Sequence, residues 1–270
     1  MSFDIQVHNV SMAFHGRGES VIALDKVNMH VSTGQFASII GPSGCGKSTL
    51  LRLVADIMQP IGGKITLGNR SPGAARREHS LGFVFQGPTL LPWRTVKQNV
   101  ELPLEVVGRK SSKRSVRSAD ELINLVGLQG FENALPHQLS GGMQQRAAIA
   151  RALILEPSVL LLDEPFGALD EITRQRMNIE LLRIWAESGT TALLVTHSIG
   201  EAVFMSNHVH VMSARPGRII SSVEVPLPRP RSFDMMRSPV FFECVNRVRD
   251  ALFGNDGTEA LRHAEPAEAY

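Results

Sequence analysis

The nine residues 41–49, GPSGCGKST, constrain this chain more than any others in it. They follow the apolar run FASII, bounded by Gly34 and Gly41, which reads as a buried strand, and they precede LLRLVADIM, whose apolar residues fall at helical spacing. The stretch is therefore a strand, a loop and a helix. The loop sits where a helix N-terminus leaves N–H groups free to attract anions. The spacing Gly41-x4-Gly46-Lys47-Ser48 is that of a phosphate-binding loop: backbone N–H groups of residues such as Ser43, Gly44, Cys45 and Gly46 wrap the phosphates, and Thr49 closes the loop. In such a loop Lys47 reaches the β- and γ-phosphates and the Ser48 hydroxyl ligates Mg2+. A nucleoside triphosphate with Mg2+ is the expected ligand. The Cys45 thiol, at a helix N-terminus in an electropositive loop, is expected to favour the thiolate and to be shielded by bound nucleotide.

Bulk properties narrow the setting. With 270 residues and 43% hydrophobic content, the chain can bury a large core. A formal charge of +2 implies no general affinity for nucleic acid or anionic lipid. The basic stretch GRKSSKRSVR, residues 108–117, lacks the interleaved aromatics that stack bases and reads as a solvated loop and helix start. Two distant cysteines, Cys45 and Cys244, make no disulfide framework. The start MSFDIQVHNV has no apolar signal core, and no apolar run reaches about 18 residues, so a soluble, cytoplasmic chain is expected.

Along the chain, IQVHNVSMAF and VIALDKVNMHV alternate as strands around the turn HGRGES, and GGKITLG and SLGFVFQ are short strand candidates. Residues 95–155 turn helical, and strands return with SVLLLDE, TTALLVTH and HVHVMS. Strands alternating with helices around a phosphate loop predict a parallel sheet covered on both faces, with a helical insertion. Beyond Pro226 the chain is proline-rich and irregular, and its end, GTEALRHAEPAEAY, is expected to fray.

The run ending in Asp163 and Glu164 adds a second signal. An acid at that strand end can hold Mg2+, and the next carboxylate can orient or deprotonate an attacking water. The stretch LSGGMQQRAAIARAL then carries a resemblance. With Ser140, Gly141 and Gly142 in it, the chain resembles the ATPase subunits of ABC transporters over residues 3–225. The resemblance implies a P-loop NTPase cassette, α/β, with a mostly parallel sheet core, an antiparallel β subdomain and a helical insertion at about 87–155. Residues 226–270 are left as a short C-terminal extension. It implies that Phe14 stacks on adenine, that Gln86 joins the nucleotide site to the insertion and stands with Ser48 and Asp163 at the metal, and that His197 is the switch histidine. Asp170, in ALD, belongs to the loop that crosses to a partner. The glycines of the signature open a helix whose N–H groups aim at an anion. The family places that anion, the γ-phosphate, on a second copy, so two cassettes pair head to tail around two ATP.

Several strings, among them GPTLLPWRTVKQNVELPLE, DEPFGALDEITR and MSARPGRI, look like the nitrate/sulfonate/taurine group of importers, with pyrimidine-type importers related. The resemblance implies ATP hydrolysis driving import of a small solute from a cytoplasmic position on the inner membrane face. Its partners would be permease subunits docking near Leu90, Leu91 and Trp93 and, indirectly, a periplasmic solute-binding protein, with no nucleic acid. A non-transport ABC ATPase is the competing reading, but the paired cassettes, coiled-coil insertions or zinc cysteines usual there are not seen. The sequence departs from the family at three places. Phe14 stands where Tyr is more frequent, Asp56 where Gly usually ends the helix, and THSIGEA lacks an acid beside His197. Asp tolerates the left-handed conformation better than most residues, so little strain is expected at Asp56.

Overall fold

The computed structural model describes residues 3–15, 20–107, 117–167 and 169–254. Strands β1 (Ile5–His15), β2 (Ser20–Val31) and β4 (Gly62–Leu67) form an antiparallel sheet in the order β2-β1-β4. The second sheet contains β3 (Phe36–Ile40), β5 (Leu81–Val84), β6 (Val159–Asp163), β7 (Thr191–Val195), β8 (His208–Met212) and β9 (Ile219–Glu224). Its order is β5-β6-β7-β3-β8-β9, parallel throughout except for β9, which pairs antiparallel with β8. The helices are α1 (Lys47–Val54), α2 (Pro72–Arg77), α3 (Val96–Val107), α4 (Ala119–Leu125), α5 (Gly141–Leu153), α6 (Glu171–Ser188), α7 (Ile199–Met205) and α8 (Pro239–Phe253). Among the described residues no helix is long and apolar enough to cross a membrane.

Every residue of β3, β6 and β7 is buried, which is why these segments read as nearly continuous apolar runs. Their side chains alternate between two cores. Phe36, Ile40, Leu160, Leu162 and Leu194 pack with residues from α3 to α8. Ala37, Ile39, Leu161, Leu193 and Val195 pack with α1 and the antiparallel sheet. At about 1.5–3 kcal/mol for each large apolar side chain removed from water, this two-sided burial is the main source of stability. Helices α3, α4 and α5 pack on one another beside the sheet edge. Ser118 starts α4 with a capping box, accepting from the Glu121 N–H (3.1 Å) while Glu121 accepts from the Ser118 N–H (2.8 Å).

Two helices were not evident from the sequence. Helix α2 is only a short turn, capped by Ser71. Helix α8 begins with Ser238 as cap and Pro239 in its first turn, and it buries Phe241, Cys244, Val245 and Val248 at helical spacing. The chain leading into it is irregular, as its prolines imply, apart from a 3-10 turn at Phe233–Arg237. Two arginines, Arg231 buried and Arg229 half-buried, hold that stretch. Arg229 lies over the Trp185 ring at 4.2 Å and donates to the Met205 carbonyl (2.8 Å), and Arg231 donates to the Ser206 carbonyl (2.8 Å). Burial pushes both guanidinium pKa values down to about 10. Asp56 has the left-handed φ of 58° expected of it, and its carboxylate pairs with Arg76 at 3.0 Å. The turn at residues 16–19, most of the basic stretch (108–116), Ala168 and the tail 255–270 lie outside the described residues.

One buried base makes this fold sensitive to acid. Burial, with help from His208 and His30 nearby, lowers the pKa of His210 from 6.5 to about 4, while its Nδ1 lies 2.8 Å from the Ser222 hydroxyl. Above pH 6.5 the ring is neutral whether the chain is folded or not. Below it the unfolded chain takes a proton that the folded chain refuses until about pH 4. Stability should therefore fall as pH drops from 6.5 to 4, by up to ~3 kcal/mol from this residue. Urea unfolding across that range should show a clearly shallower pH slope for His210→Gln than for the parent. Equal slopes would place the acid sensitivity elsewhere.

Candidate functional site

The phosphate loop leaves the end of β3 and turns into α1, whose Leu50, Leu51, Leu53 and Val54 are buried against the sheet. Two of its glycines are fixed by space. A Cβ on Gly46, which has φ 105°, would lie 2.7 Å from the Leu24 side chain, and one on Gly41 would lie 2.7 Å from the Met212 carbonyl oxygen. Lys47 is buried and curls back over the loop, its Nζ donating to the carbonyls of Gly41 (2.8 Å) and Pro42 (2.9 Å). Ser48 donates its hydroxyl proton to Asp163 Oδ1 at 2.7 Å, joining the start of α1 to the end of β6. Burial raises the Asp163 pKa, against the lowering by Ser48 and the nearby cations Arg52 and Lys47.

Next to Asp163, Glu164 adopts φ 45°, a conformation costly for a residue with a Cβ. Its N–H donates to the Val195 carbonyl at 2.9 Å, which ties this turn to β7. Its Oε2 accepts from Gln86 Nε2 (3.2 Å) and lies 3.5 Å from His197 Nδ1. Gln86, Glu164 and His197 follow β5, β6 and β7, three neighbouring strands, and the phosphate loop follows β3, the next one. The group thus gathers at the carboxyl ends of parallel strands, where open α/β sheets take ligands. A cleft of about 580 Å3 opens there, lined by Phe14, Ser43, Gly44, Gly46, Lys47, Ser48, Thr49, Gln86 and Glu164. Phe14, on β1, is 43% exposed and presents its ring to this cleft.

The signature residues lie elsewhere. Ser140 caps α5, accepting from the Met143 N–H at 3.3 Å, and neither it nor Gly141 nor Gly142 lines the cleft. Asp170 caps α6 through the Thr173 N–H (3.0 Å), and hydrogen bonds to Thr173 lower its pKa. It too lies off the cleft.

Several residues that position the site carry no sequence signal. Gln145 of α5 donates to the Phe85 carbonyl (3.0 Å), and Arg151 of the same helix donates to the carbonyls of Thr89 (2.8 Å) and Pro88 (3.1 Å). Together they hold the segment around Gln86. Asn99, fully buried in α3, accepts from the Leu91 N–H (2.7 Å) and donates to the carbonyls of Leu91, Arg94 and Thr95. Its side chain cages the Leu90–Trp93 loop. Leu90 packs partly against the core, while Trp93 is 71% exposed. Arg215 also lines the cleft, from the turn after β8.

Cys45 departs from expectation. Its thiol is 1% exposed and belongs to the core beneath the loop, so burial raises its pKa despite nearby Lys47. The loop turns this side chain inward, where burial works against the thiolate that its place at a helix N-terminus led one to expect. In the native chain Cys45 should react with a maleimide at least about tenfold more slowly than in guanidinium, and ATP should change the native rate less than twofold. Peptide mass spectrometry, which separates it from buried Cys244, reads the outcome. Rapid native labelling slowed by ATP would restore the exposed thiolate.

The family model described as ABC transporter matches residues 24–167. The chain is 42% identical over 264 residues to the nitrate import ATP-binding protein NrtD of Synechocystis sp., covering 94% of this chain and 97% of that protein. It is 43% identical over 229 residues to the aliphatic sulfonates import ATP-binding protein SsuB of Bacillus cereus, covering 84% and 88%. Among solved structures, a dimeric ATP-binding cassette in a post-hydrolysis state with ADP and Pi superposes with a TM-score of 0.72 at 32% identity, covering 83% of this chain and all of that one. This chain belongs to the ABC transporter family, as one of its ATP-binding cassettes.

Proposed function

We propose that this cassette hydrolyses ATP to power import of a small solute of the nitrate, sulfonate, taurine or pyrimidine kind through a membrane complex. One observation carries the reading: Glu164 Oε2 lies between Gln86 Nε2 and His197 Nδ1, beside the Ser48–Asp163 pair, at the mouth of a phosphate loop. In this reading residues 3–225 form the cassette, with 87–155 as its helical insertion and 226–270 as an extension. Phe14 stacks on the adenine. Residues 41–49 hold the phosphates by backbone N–H groups, with Lys47 as their cation. A hydroxyl and a carboxylate 2.7 Å apart supply the hard oxygen donors that suit Mg2+, so Ser48 and Asp163 would hold it with Gln86 beside them. When bound, the ion neutralises charge on the β- and γ-phosphates.

The water that attacks the γ-phosphate is oriented, and relieved of its proton, by the Glu164 carboxylate. Gln86 and His197 fix that carboxylate, and His197 adds a donor toward the γ-phosphate. Ser140, Gly141, Gly142 and Asp170 stand away from the chain's own cleft and act on the nucleotide of a second copy, paired head to tail. Permease subunits dock at Leu90, Leu91 and Trp93 on the cytoplasmic face of the membrane, and a periplasmic solute-binding protein delivers the solute to them.

Glu164→Gln should keep ATP affinity while steady-state hydrolysis falls at least roughly a hundredfold, the scale of a lost general base. Size-exclusion chromatography with ATP should then show an accumulated dimer, and near-normal phosphate release would remove Glu164 from the role. For docking, Trp93→Ala should leave the isolated chain's melting temperature within about 2 °C, as expected for an exposed side chain. In the assembled transporter, solute uptake and ATPase activity should fall together. A variant that unfolds alone yet assembles normally would make Trp93 a structural residue.

A further inference from the structure

The turn between β8 and β9, within the string MSARPGRI, packs against the phosphate loop from outside. The Met212 carbonyl closes on Gly41, and a Cβ on Gly217 would lie 2.1 Å from the Cys45 carbonyl oxygen. The turn is also tied to β2. The Gly217 N–H donates to the Ala23 carbonyl (2.9 Å), the Asp25 N–H donates to the Gly217 carbonyl (3.1 Å), and Arg218 pairs with Asp25. Inside the turn, the Arg218 N–H donates to the Ser213 hydroxyl at 3.0 Å. A segment fastened at this many points holds its remaining side chain in a defined place.

That side chain is Arg215. Its Nε and Nη2 donate to the Gly44 carbonyl at 3.3 and 3.0 Å, and it lines the cleft with Ser43, Gly44 and Lys47. The carbonyl orients the guanidinium without neutralising it. Among the described residues no carboxylate lies within 4 Å of Arg215, so its charge is uncompensated at the edge of a site built for an anion. A guanidinium has five N–H donors, and at most two are used here, leaving the rest for phosphate oxygens. Anchorage at Gly44 holds the charge at the phosphate-loop end of the cleft, where an anionic chain gains from it more than a neutral base does.

We propose that Arg215 is a nucleotide-binding residue, a second cation beside Lys47 that contacts the polyphosphate of the bound nucleotide and is held in place by the phosphate loop itself. This rests on the ATP-binding reading of the cleft. Two variants of the full chain separate charge from bracing: Arg215→Ala removes both, and Arg215→Gln keeps an amide donor for Gly44 without the charge. Equilibrium binding of ATP and AMP at two salt concentrations provides the readout. Both variants should bind ATP about fivefold more weakly, the scale of a partly exposed charged contact, and AMP less than twofold more weakly. The salt dependence of ATP binding should be shallower than the parent's. Parent-like ATP affinity in Arg215→Gln, or equal losses for ATP and AMP, would overturn the assignment. A parent chain that fails to bind ATP would overturn the reading beneath it as well.

Discussion

Burial of the parallel strands on both faces is the constraint from which the rest of the molecule follows. Once β3, β6 and β7 have given most of their side chains to two cores, their carboxyl ends are where charged and ligand-facing groups can stand. Neighbouring strand ends bring Gln86, Glu164, His197 and the phosphate loop together although they are far apart in sequence. The 2.7 Å hydrogen bond between Ser48 and Asp163 then locks a helix start to a strand end, so the loop has little freedom to drift from the acids that face it.

The same arrangement holds a costly backbone. Glu164 keeps a left-handed φ because its N–H is taken by the Val195 carbonyl and its carboxylate by Gln86 and His197. A relaxed backbone at that point would swing the carboxylate away from both partners. The strain is therefore tied to the position of the group on which the proposed hydrolysis turns.

What the sequence disclosed was local in character. The phosphate loop, the acids ending β6 and the signature are each contiguous, and their spacing carries their meaning. The alternation of strands and helices gave the sheet, because a buried parallel strand has to be an apolar run. What stayed hidden depends on distant partners. Gln145 and Arg151 reach carbonyls some sixty residues away, and Arg215 reaches one 171 residues away. Helix α8 was masked by the prolines before it, although Phe241, Cys244, Val245 and Val248 are spaced for burial. Cys45 marks another limit: a position within a motif does not tell which way the side chain points, and here it points into the core.

The cage around Asn99 has a mechanical consequence. Its amide grips the Leu90–Trp93 loop at Leu91 and Arg94 and is itself buried in α3, while Arg151 clasps Pro88 and Thr89 just upstream. The path from Trp93 to Gln86 therefore contains few slack joints. If a partner pressed on the exposed indole, these hydrogen bonds would favour passing the load along the segment over letting it bend. Stiffness of this kind lets a surface contact and a strand-end glutamine move as one linkage.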